Sequence, residues 1–334
     1  MTDMHHICVT GGAGYIGSHA CYALAVQGRV PLSVDNLSTG NRESVRWGPL
    51  AEIDLRDTSR LTQTMIARGV TTVLHFAASA YVGESVTDPI KYYDNNVGGM
   101  MSLLRACERA GVRHFVLSSS CATYGIPDTI PVAETTAQRP INPYGQTKLI
   151  CETMLRDIAP QIGMSFAILR YFNVAGADPS GLLCEMHDPE THLVPLTLFT
   201  AAGLRDTLDL FGADYETPDG TCIRDYIHVS DLVQGHLQAL GYLEKYDTDL
   251  TANLGSGMGC SNQEIVEMVE RVTGRPVKTR IAPRRAGDPP VLVADTARAQ
   301  RILNFKPQRS DIETIVTDAA RSLGLLEVQD AKRA

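Results

Sequence analysis

The sequence predicts an α/β protein with a doubly wound parallel sheet and a smaller C-terminal α/β domain. Three observations support this prediction: strand-like and helix-like segments alternate through the first half of the chain, a glycine-rich turn follows the first strand, and polar clusters follow several later strands. Because parallel strands end at one edge of such a sheet, we expect the polar clusters to meet there.

The alternating segments begin at residue 7. Residues 17–27 have a helical pattern, and apolar runs typical of strands buried on both faces cover residues 7–10, 30–34, 71–76, 113–117 and 166–170. After about residue 173, prolines and glycines interrupt the pattern. We therefore expect a first domain over residues 1–173 and a second over residues 174–334, with a segment near 222–255 returning to the first.

Composition narrows the class of protein. The 334 residues are 44% hydrophobic and 20% charged, with a formal net charge of -8, so nucleic-acid and membrane partners are not expected. The eight cysteines are scattered without a CxxC pair, which is typical of reduced core residues in a cytoplasmic protein. The start of the chain lacks a basic region, and no apolar stretch approaches the roughly 18 residues of a membrane span.

The first polar cluster has the spacing of a dinucleotide-binding turn. Residues 9–19 read VTGGAGYIGSH between a predicted strand and a predicted helix. Gly11 allows a tight turn, Gly14 lets the backbone approach a pyrophosphate, and Gly17 lets the helix pack closely on the sheet. Tyr15 and Ile16 complete the predicted contact with the cofactor.

Acidic residues at the next strand ends indicate which dinucleotide binds. Asp35 ends the second strand about 20 residues after the glycines, where a carboxylate can bond the ribose 2′-hydroxyl and repel a 2′-phosphate, so NAD is favoured over NADP. Asn36 follows it. Asp54 and Leu55 can hold the adenine. An equally good interpretation is that Asp54 caps the following helix. Phe76, Ala77 and Ala78 lie at the end of the strand expected over residues 71–76, and we predict that they also contact the cofactor.

Three residues from two segments are the predicted catalytic group. Tyr144 and Lys148 are four residues apart and share one face of a helix, so the ammonium, together with the positive nicotinamide ring, would favour the phenolate of Tyr144 as a general base. Ser118 and Ser120 follow the strand that ends near Leu117. Ser118 is a predicted cofactor contact, and the hydroxyl of Ser120 can bond the reacting oxygen.

The predicted second domain contains five residues of types that can bind a metal ion. Its candidate ligands are Cys184, His187, Asp188, Glu190 and His192. Their spacing fits no compact zinc pattern and Pro189 interrupts them, so we predict a polar substrate loop and no metal.

These motifs together resemble the extended short-chain dehydrogenase/reductases, and within them the UDP-glucose 4-epimerase family. The matching stretches include residues 11–19, 92–96, 118–125, 142–148, 170–173, 224–229 and 284–288. The resemblance implies a Rossmann domain with bound NAD, which Asn95 and Tyr171 also contact. It further implies a role in galactose metabolism and a homodimer that packs through helices near residues 95–110 and 144–158.

The activity implied by the resemblance is a reversible inversion at C4 of a UDP-hexose. Tyr144 takes the proton of the 4-hydroxyl while hydride passes to NAD, the 4-keto sugar turns, and hydride returns to the other face. The implied UDP-sugar contacts are Ser120, Tyr144, Asn173, Leu193, Phe211, Arg224, Tyr226, Arg285 and Asp288. Arg224 and Arg285 can each fork onto the pyrophosphate, and Asp288 can accept from a ribose hydroxyl.

Other substrates stay open at this stage. UDP-xylose/UDP-arabinose and UDP-N-acetylglucosamine 4-epimerases would use nearly the same site, whereas Cys121 and Ala122 replace the acid and base that a dehydratase needs. His192 stands where the family commonly has an asparagine, and Ala80 where some members have a lysine. Leu292 occupies the position thought to gate N-acetylated sugars.

Overall fold

The computed structural model describes residues 6–285 and 288–326, and these residues form thirteen strands and eleven α-helices. The strands are His6–Thr10 (β1), Leu32–Asp35 (β2), Leu50–Glu52 (β3), Val70–His75 (β4), His114–Ser118 (β5), Ser165–Tyr171 (β6), Asn173–Ala175 (β7), Leu208–Phe211 (β8), Ile223–His228 (β9), Leu250–Leu254 (β10), Gly259–Ser261 (β11), Thr279–Ala282 (β12) and Val291–Leu292 (β13). The α-helices are Tyr15–Val26 (α1), Thr58–Ala67 (α2), Val82–Thr87 (α3), Pro89–Tyr92 (α4), Gly99–Ala110 (α5), Pro143–Ile158 (α6), Leu193–Ala201 (α7), Val229–Tyr246 (α8), Asn262–Thr273 (α9), Ala297–Leu303 (α10) and Ile312–Ser322 (α11).

The main sheet has seven parallel strands in the order β3-β2-β1-β4-β5-β6-β10. The chain leaves β1 in one direction and β4 in the other, so the strand order reverses between these two neighbours. A parallel α/β sheet opens a crevice at this point, at the carboxyl ends of its strands. The predicted doubly wound fold is confirmed.

Each face of the main sheet is buried under helices, which explains the nearly continuous apolar runs. Ile7 and Val9 of β1 face a core formed with α1, α8 and α10, whereas Cys8 faces a second core formed with α2, α5 and α6. Successive residues of a strand point to opposite faces, so both cores draw on the same strand.

Two segment starts differ by two residues from the sequence-based expectation, whereas the other expected strand ends differ by at most one residue. The first helix begins at Tyr15 rather than at residue 17, because Gly14 is extended and acts as its N-cap. The second strand begins at Leu32 rather than at residue 30, since Pro31 has no N–H to contribute to sheet pairing.

The second half of the chain builds a smaller unit and also returns to the main sheet. Strands β7, β9, β11 and β13 form a four-stranded sheet, and β8 pairs with β12. Helices α7, α9 and α11 pack on a separate apolar core. Strand β10 pairs with β6 at the edge of the main sheet, and α8 covers one of its faces.

Two other sequence-based expectations concern location. None of the helices in the described part of the chain has the length and apolar character needed to span a membrane. All eight cysteines are unpaired, and six of them are buried. The cytoplasmic location stays a prediction.

The predicted first domain consists of residues 1–173 together with a segment near 222–255 that returns to it, and truncation tests whether that segment is needed. A chain of residues 1–173 lacks β10 and α8, so one edge and part of one face of the main sheet would be exposed. We expect it to show no cooperative thermal unfolding, unlike the full chain, when both are followed by circular dichroism. A sharp transition in the fragment would show that the first 173 residues fold independently.

Candidate functional site

The glycine-rich turn joins β1 to α1 at the carboxyl edge of the main sheet. Gly11 has a φ of +73° and donates its N–H to the carbonyl of Val34 at 2.8 Å. A Cβ at Gly11 would lie 2.7 Å from the backbone nitrogen of Ala77, and one at Gly17 would lie 2.0 Å from the carbonyl oxygen of Gly11. Helix α1 begins after Gly14 without a side-chain cap, so its first N–H groups can bind an anion.

The first turn of α1 is anchored on both sides. The hydroxyl of Tyr15 donates to the carbonyl oxygen of Gly176 at 2.6 Å, which ties the glycine-rich turn to the segment that follows β7. Ile16 packs against the core between the main sheet and α8. The turn is therefore held rigidly against both parts of the chain.

The predicted ribose-binding carboxylate lies beside the same turn. Asp35 accepts the N–H of Ala13 at 3.0 Å on one oxygen and the N–H of Leu37 at 2.8 Å on the other. Burial raises the pKa of Asp35, and these two donors act in the opposite direction. A carboxylate has roughly four acceptor positions, so Asp35 keeps capacity for a ligand hydroxyl. Asn36 donates to Asp54 at 3.1 Å.

Asp54 does not cap the helix that follows it, so that alternative is wrong. The residue that caps α2 is Asp57, whose side chain accepts the N–H of Arg60 at 3.0 Å. Asp54 instead pairs with Arg56 at 2.7 Å, and hydrogen bonds from this arginine lower the pKa of the Asp54 carboxyl. The neighbouring Leu55 packs against the second core of the main sheet.

A buried asparagine that the sequence analysis did not single out joins three parts of the site. The amide nitrogen of Asn96 donates to the carbonyl of Ser79 and to the hydroxyl of Thr147, each at 3.0 Å. Ser79 follows residues 76–78, and Thr147 lies on α6. The predicted cofactor residue Asn95 donates to Asn96 at 3.0 Å, so both asparagines belong to one network.

The structure brings the three predicted catalytic residues together. Tyr144 lies in the first turn of α6, is 7% exposed and lies close enough to the side chain of Ser120 for that hydroxyl to affect its pKa. Lys148, one turn later, donates to the carbonyl oxygen of Ser118 at 2.9 Å, with its ammonium 5.9 Å from the centre of the Tyr144 ring. The side chain of Ser118 donates to the Tyr171 hydroxyl at 3.0 Å.

Burial dominates the acid-base properties of this group. It raises the pKa of Tyr144, with a further increase from Tyr171, whereas the hydroxyl of Ser120 acts in the opposite direction. Burial also lowers the pKa of Lys148. The ammonium of Lys148 was expected to favour the phenolate of Tyr144, but among the protein groups desolvation is the larger effect and acts in the opposite direction.

Gly145 sets how closely α6 approaches residues 118–122, which begin with three serines and are called the serine segment. A Cβ at this position would lie 2.4 Å from the carbonyl oxygen of Ala122, two residues after Ser120. The N–H of Gly145 donates to the side chain of Asn142, the N-cap of α6, at 2.8 Å. Sequence reasoning missed this residue, although its place directly after Tyr144 was visible.

A buried ion pair behind the catalytic group also escaped the sequence analysis. The guanidinium of Arg170 donates to both carboxylate oxygens of Glu152, at 2.9 and 2.6 Å, and to the hydroxyl of Tyr124 at 2.9 Å. Ser119 donates to the same carboxylate at 2.6 Å. Although burial disfavours the charge of Glu152, its pKa is lowered because the Arg170 interactions outweigh that effect. Helix α6 is thereby joined to β5 and β6.

Four of the predicted UDP-sugar residues form two contacts in the smaller unit. Arg224 of β9 is ion-paired with Asp288 at 2.6 Å, and the guanidinium of Arg285 stacks on the ring of Phe211 at 4.1 Å. Burial opposes the charge of Arg224, but its pKa is raised because Asp288 outweighs that effect. Positions 286 and 287 of the matching motif lie outside the described residues.

Three other predicted substrate residues lie in elements of the smaller unit. Asn173 and Tyr226 are directly paired in β7 and β9, and Leu193 begins α7. Leu292 is 8% exposed and packs in a small apolar cluster with Cys121 and Phe172, close to the serine segment. This gives the predicted gating position a location near the catalytic group.

The chain matches characterised proteins over nearly all of its length. Residues 7–255 match the NAD dependent epimerase/dehydratase family. The UDP-glucose 4-epimerase of Rhizobium meliloti (strain 1021) is 48% identical over 304 residues, which cover 91% of this chain and 93% of the relative.

Solved structures with ligands are also similar. The UDP-glucose 4-epimerase of Brucella ovis in complex with NAD has a TM-score of 0.93 and 53% identity, and the match covers 96% of this chain and 98% of that one. The UDP-glucose-4-epimerase of Stenotrophomonas maltophila, with bound NAD and formylated UDP-arabinopyranose, has a TM-score of 0.92 and 40% identity over 95% and 97% of the two chains.

The buried ion pair generates a stability prediction. Glu152→Ala leaves the Arg170 guanidinium buried without its partner, so we expect the free energy of unfolding to fall by about 3–5 kcal/mol. The control is Arg156→Ala, which removes a half-exposed partner of the same carboxylate and should cost at most about 1 kcal/mol. Equilibrium denaturation measures both, and equal effects of the two substitutions would contradict a central role for the buried pair.

Proposed function

This chain belongs to the NAD-dependent epimerase/dehydratase family, and we propose that it is a UDP-glucose 4-epimerase that interconverts UDP-glucose and UDP-galactose through a transient 4-keto sugar. The enzyme class and the NAD cofactor predicted from the sequence are confirmed by the relatives. The observation that carries the proposal is the meeting of Ser120, Tyr144 and Lys148 in such a chain. A role in galactose metabolism is part of the proposal.

The residues around the glycine-rich turn fit NAD. Gly11 and Gly17 leave no room for a side chain where the turn passes its neighbours, and the uncapped start of α1 suits a pyrophosphate. Asp35 would bind the adenosine ribose and Lys148 the nicotinamide ribose. NAD, when bound, supplies the acceptor and then the donor of the hydride exchanged with C4 of the sugar.

We assign the proton transfer to Tyr144. Its phenolic oxygen takes the proton of the 4-hydroxyl and later returns it, while Ser120 hydrogen-bonds the same sugar oxygen. Burial raises the pKa of Tyr144, whereas the nearby ammonium of Lys148 and the positive charge of the oxidised cofactor would both favour its ionisation. Exclusion of water by this buried site would protect the keto sugar between the two half-reactions.

The charged residues of the smaller unit would anchor the nucleotide while the sugar turns. Arg224 is held by Asp288, and Arg285 rests on Phe211, so both guanidinium groups are oriented before a ligand arrives. One guanidinium group can donate two parallel hydrogen bonds to the oxygens of a phosphate, which makes these two arginines suitable for the pyrophosphate of UDP. We propose that Asp288 accepts a hydrogen bond from the uridine ribose, and that Asn173, Leu193 and Tyr226 complete the contact.

A homodimer is also part of the proposal. Helix α6 carries the partly buried residues Leu149, Ile150 and Met154, and Ile90 in the adjacent α4 is 79% exposed. Such apolar side chains on neighbouring helices suit packing against a second copy. Light scattering of the purified protein should give twice the mass of the chain, and a monomer at micromolar concentration would refute the dimer.

Substitution of the proposed acid-base residue tests the function. Tyr144→Phe keeps the ring but removes the hydroxyl, so we expect kcat for UDP-galactose to fall by at least about 100-fold while UDP binding is nearly unchanged. The control is Tyr93→Phe, a tyrosine that is 40% exposed. Wild-type turnover in the Tyr144 variant would exclude this assignment.

Sugar choice should depend on Leu292. The residue packs beside Cys121 in the serine segment, so its size should decide whether an N-acetyl group fits during the turn of the keto sugar. We expect Leu292→Ser to raise activity on UDP-N-acetylgalactosamine by about 10- to 100-fold, and Leu292→Tyr to lower it by a similar factor and so nearly abolish it. Activity on UDP-galactose should change little in either variant. Parallel changes for both substrates in a coupled assay would argue against gating.

A further inference from the structure

The loop between β7 and α7 brings together four side chains that the proposed reaction does not use. They are Glu185, His187, Glu190 and His192, and one nitrogen or oxygen atom from each lies within 4.8 Å of the others. Their order in the chain is E-x-H-x-x-E-x-H. Carboxylate oxygens and imidazole nitrogens are the ligands typical of zinc and related divalent metals.

Both imidazoles are hydrogen-bonded to Glu185, and the separations between the four atoms are close to those of a four-coordinate site. The Nδ1 atoms of His192 and His187 lie 2.5 and 2.9 Å from one oxygen of Glu185, and 3.3 and 3.9 Å from the oxygens of Glu190. Four ligands bound tetrahedrally at about 2.0–2.1 Å from zinc are roughly 3.3 Å apart. The observed separations lie on both sides of this value, so small movements of the side chains would suffice.

Burial and charge point in the same direction. The side chains of Glu185 and Glu190 are only 7% and 6% exposed, so two carboxylates are removed from water in one place. The imidazoles of His187 and His192 already hydrogen-bond Glu185, and a divalent cation bound in place of their protons would balance both carboxylate charges. The ring of His187 is held edge-on by Tyr15 and Tyr81, at 6.2 and 5.9 Å between ring centres, which fixes its orientation toward the carboxylates.

We propose that Glu185, His187, Glu190 and His192 form a binding site for a divalent transition metal, with zinc as the best fit. Four protein ligands leave no open coordination position, so the metal would be structural. It would fix the loop that precedes α7 against Tyr15 of the glycine-rich turn. No metal was expected from the sequence because the spacing of its candidate ligands fits no compact zinc pattern and Pro189 interrupts them, and Glu185 was not among those candidates.

Metal binding to the purified full-length protein tests this proposal. After removal of metals with a chelator, the protein is dialysed against Zn²⁺, and in parallel titrated with Co²⁺ while its visible absorption is recorded. We expect one ion per chain and the strong absorption of four-coordinate Co²⁺. Loss of an outer partner already weakens metal binding by about 10–100-fold, so Glu185→Gln and His187→Gln should each weaken it by at least about 100-fold.

The control variant is Asp188→Asn, which changes a charge in the same loop but outside the four residues and should bind as the wild type does. Circular dichroism confirms that each variant is folded, and if Glu185→Gln is not, Glu190→Gln replaces it. Absence of Zn²⁺ uptake by the wild type would overturn the proposal whatever the variants do. Equal affinity in the wild type and the folded variants would also overturn it, because the ion would then be bound elsewhere.

Discussion

The arrangement of the catalytic group depends on the buried ion pair between Glu152 and Arg170. Glu152 lies two turns after Tyr144 on α6, and Arg170 lies on β6, which is next to the edge strand β10 of the main sheet. Both charges are nearly excluded from water, with side chains 0% and 3% exposed, so neither can separate from the other without a large cost. Because Ser119 bonds the same carboxylate, the pair also fixes the strand end that carries Ser120.

Several weaker constraints act in the same place and give the site its chemistry. Gly145 lets the first turn of α6 pass the carbonyl of Ala122, and the hydrogen bond of Lys148 to Ser118 holds the ammonium under the sheet edge. The resulting burial raises the pKa of Tyr144. A positively charged cofactor beside this buried phenol would act against that increase and favour the phenolate.

The sequence predicted those features that depend on short, regular spacing. The glycine-rich turn joins β1 to α1, Asp35 ends the next strand, and Tyr144 and Lys148 share one face of α6, so each depends on short spacings along the chain. Their positions in the structure agree with this reasoning. The roles assigned to them stay predictions.

Features that depend on contacts between distant segments could not be predicted in this way. The pairing of Arg170 with Glu152, the bridge from Asn96 to Thr147, and the packing of Leu292 beside Cys121 each join residues that no local pattern relates. The cluster around Glu185 has a short spacing, but its ligand atoms meet only because the loop folds back before α7.

The most direct test of the whole account follows the hydrogen on C4 of the sugar. UDP-galactose carrying deuterium at C4 is converted by the purified enzyme in ordinary water, and the UDP-glucose formed is analysed by nuclear magnetic resonance. If Tyr144 handles only the hydroxyl proton and the hydrogen of C4 returns to the same carbon within a closed site, the product retains its deuterium. Replacement of the deuterium by hydrogen from water would contradict the account, because the carbon-bound hydrogen would then have left the site.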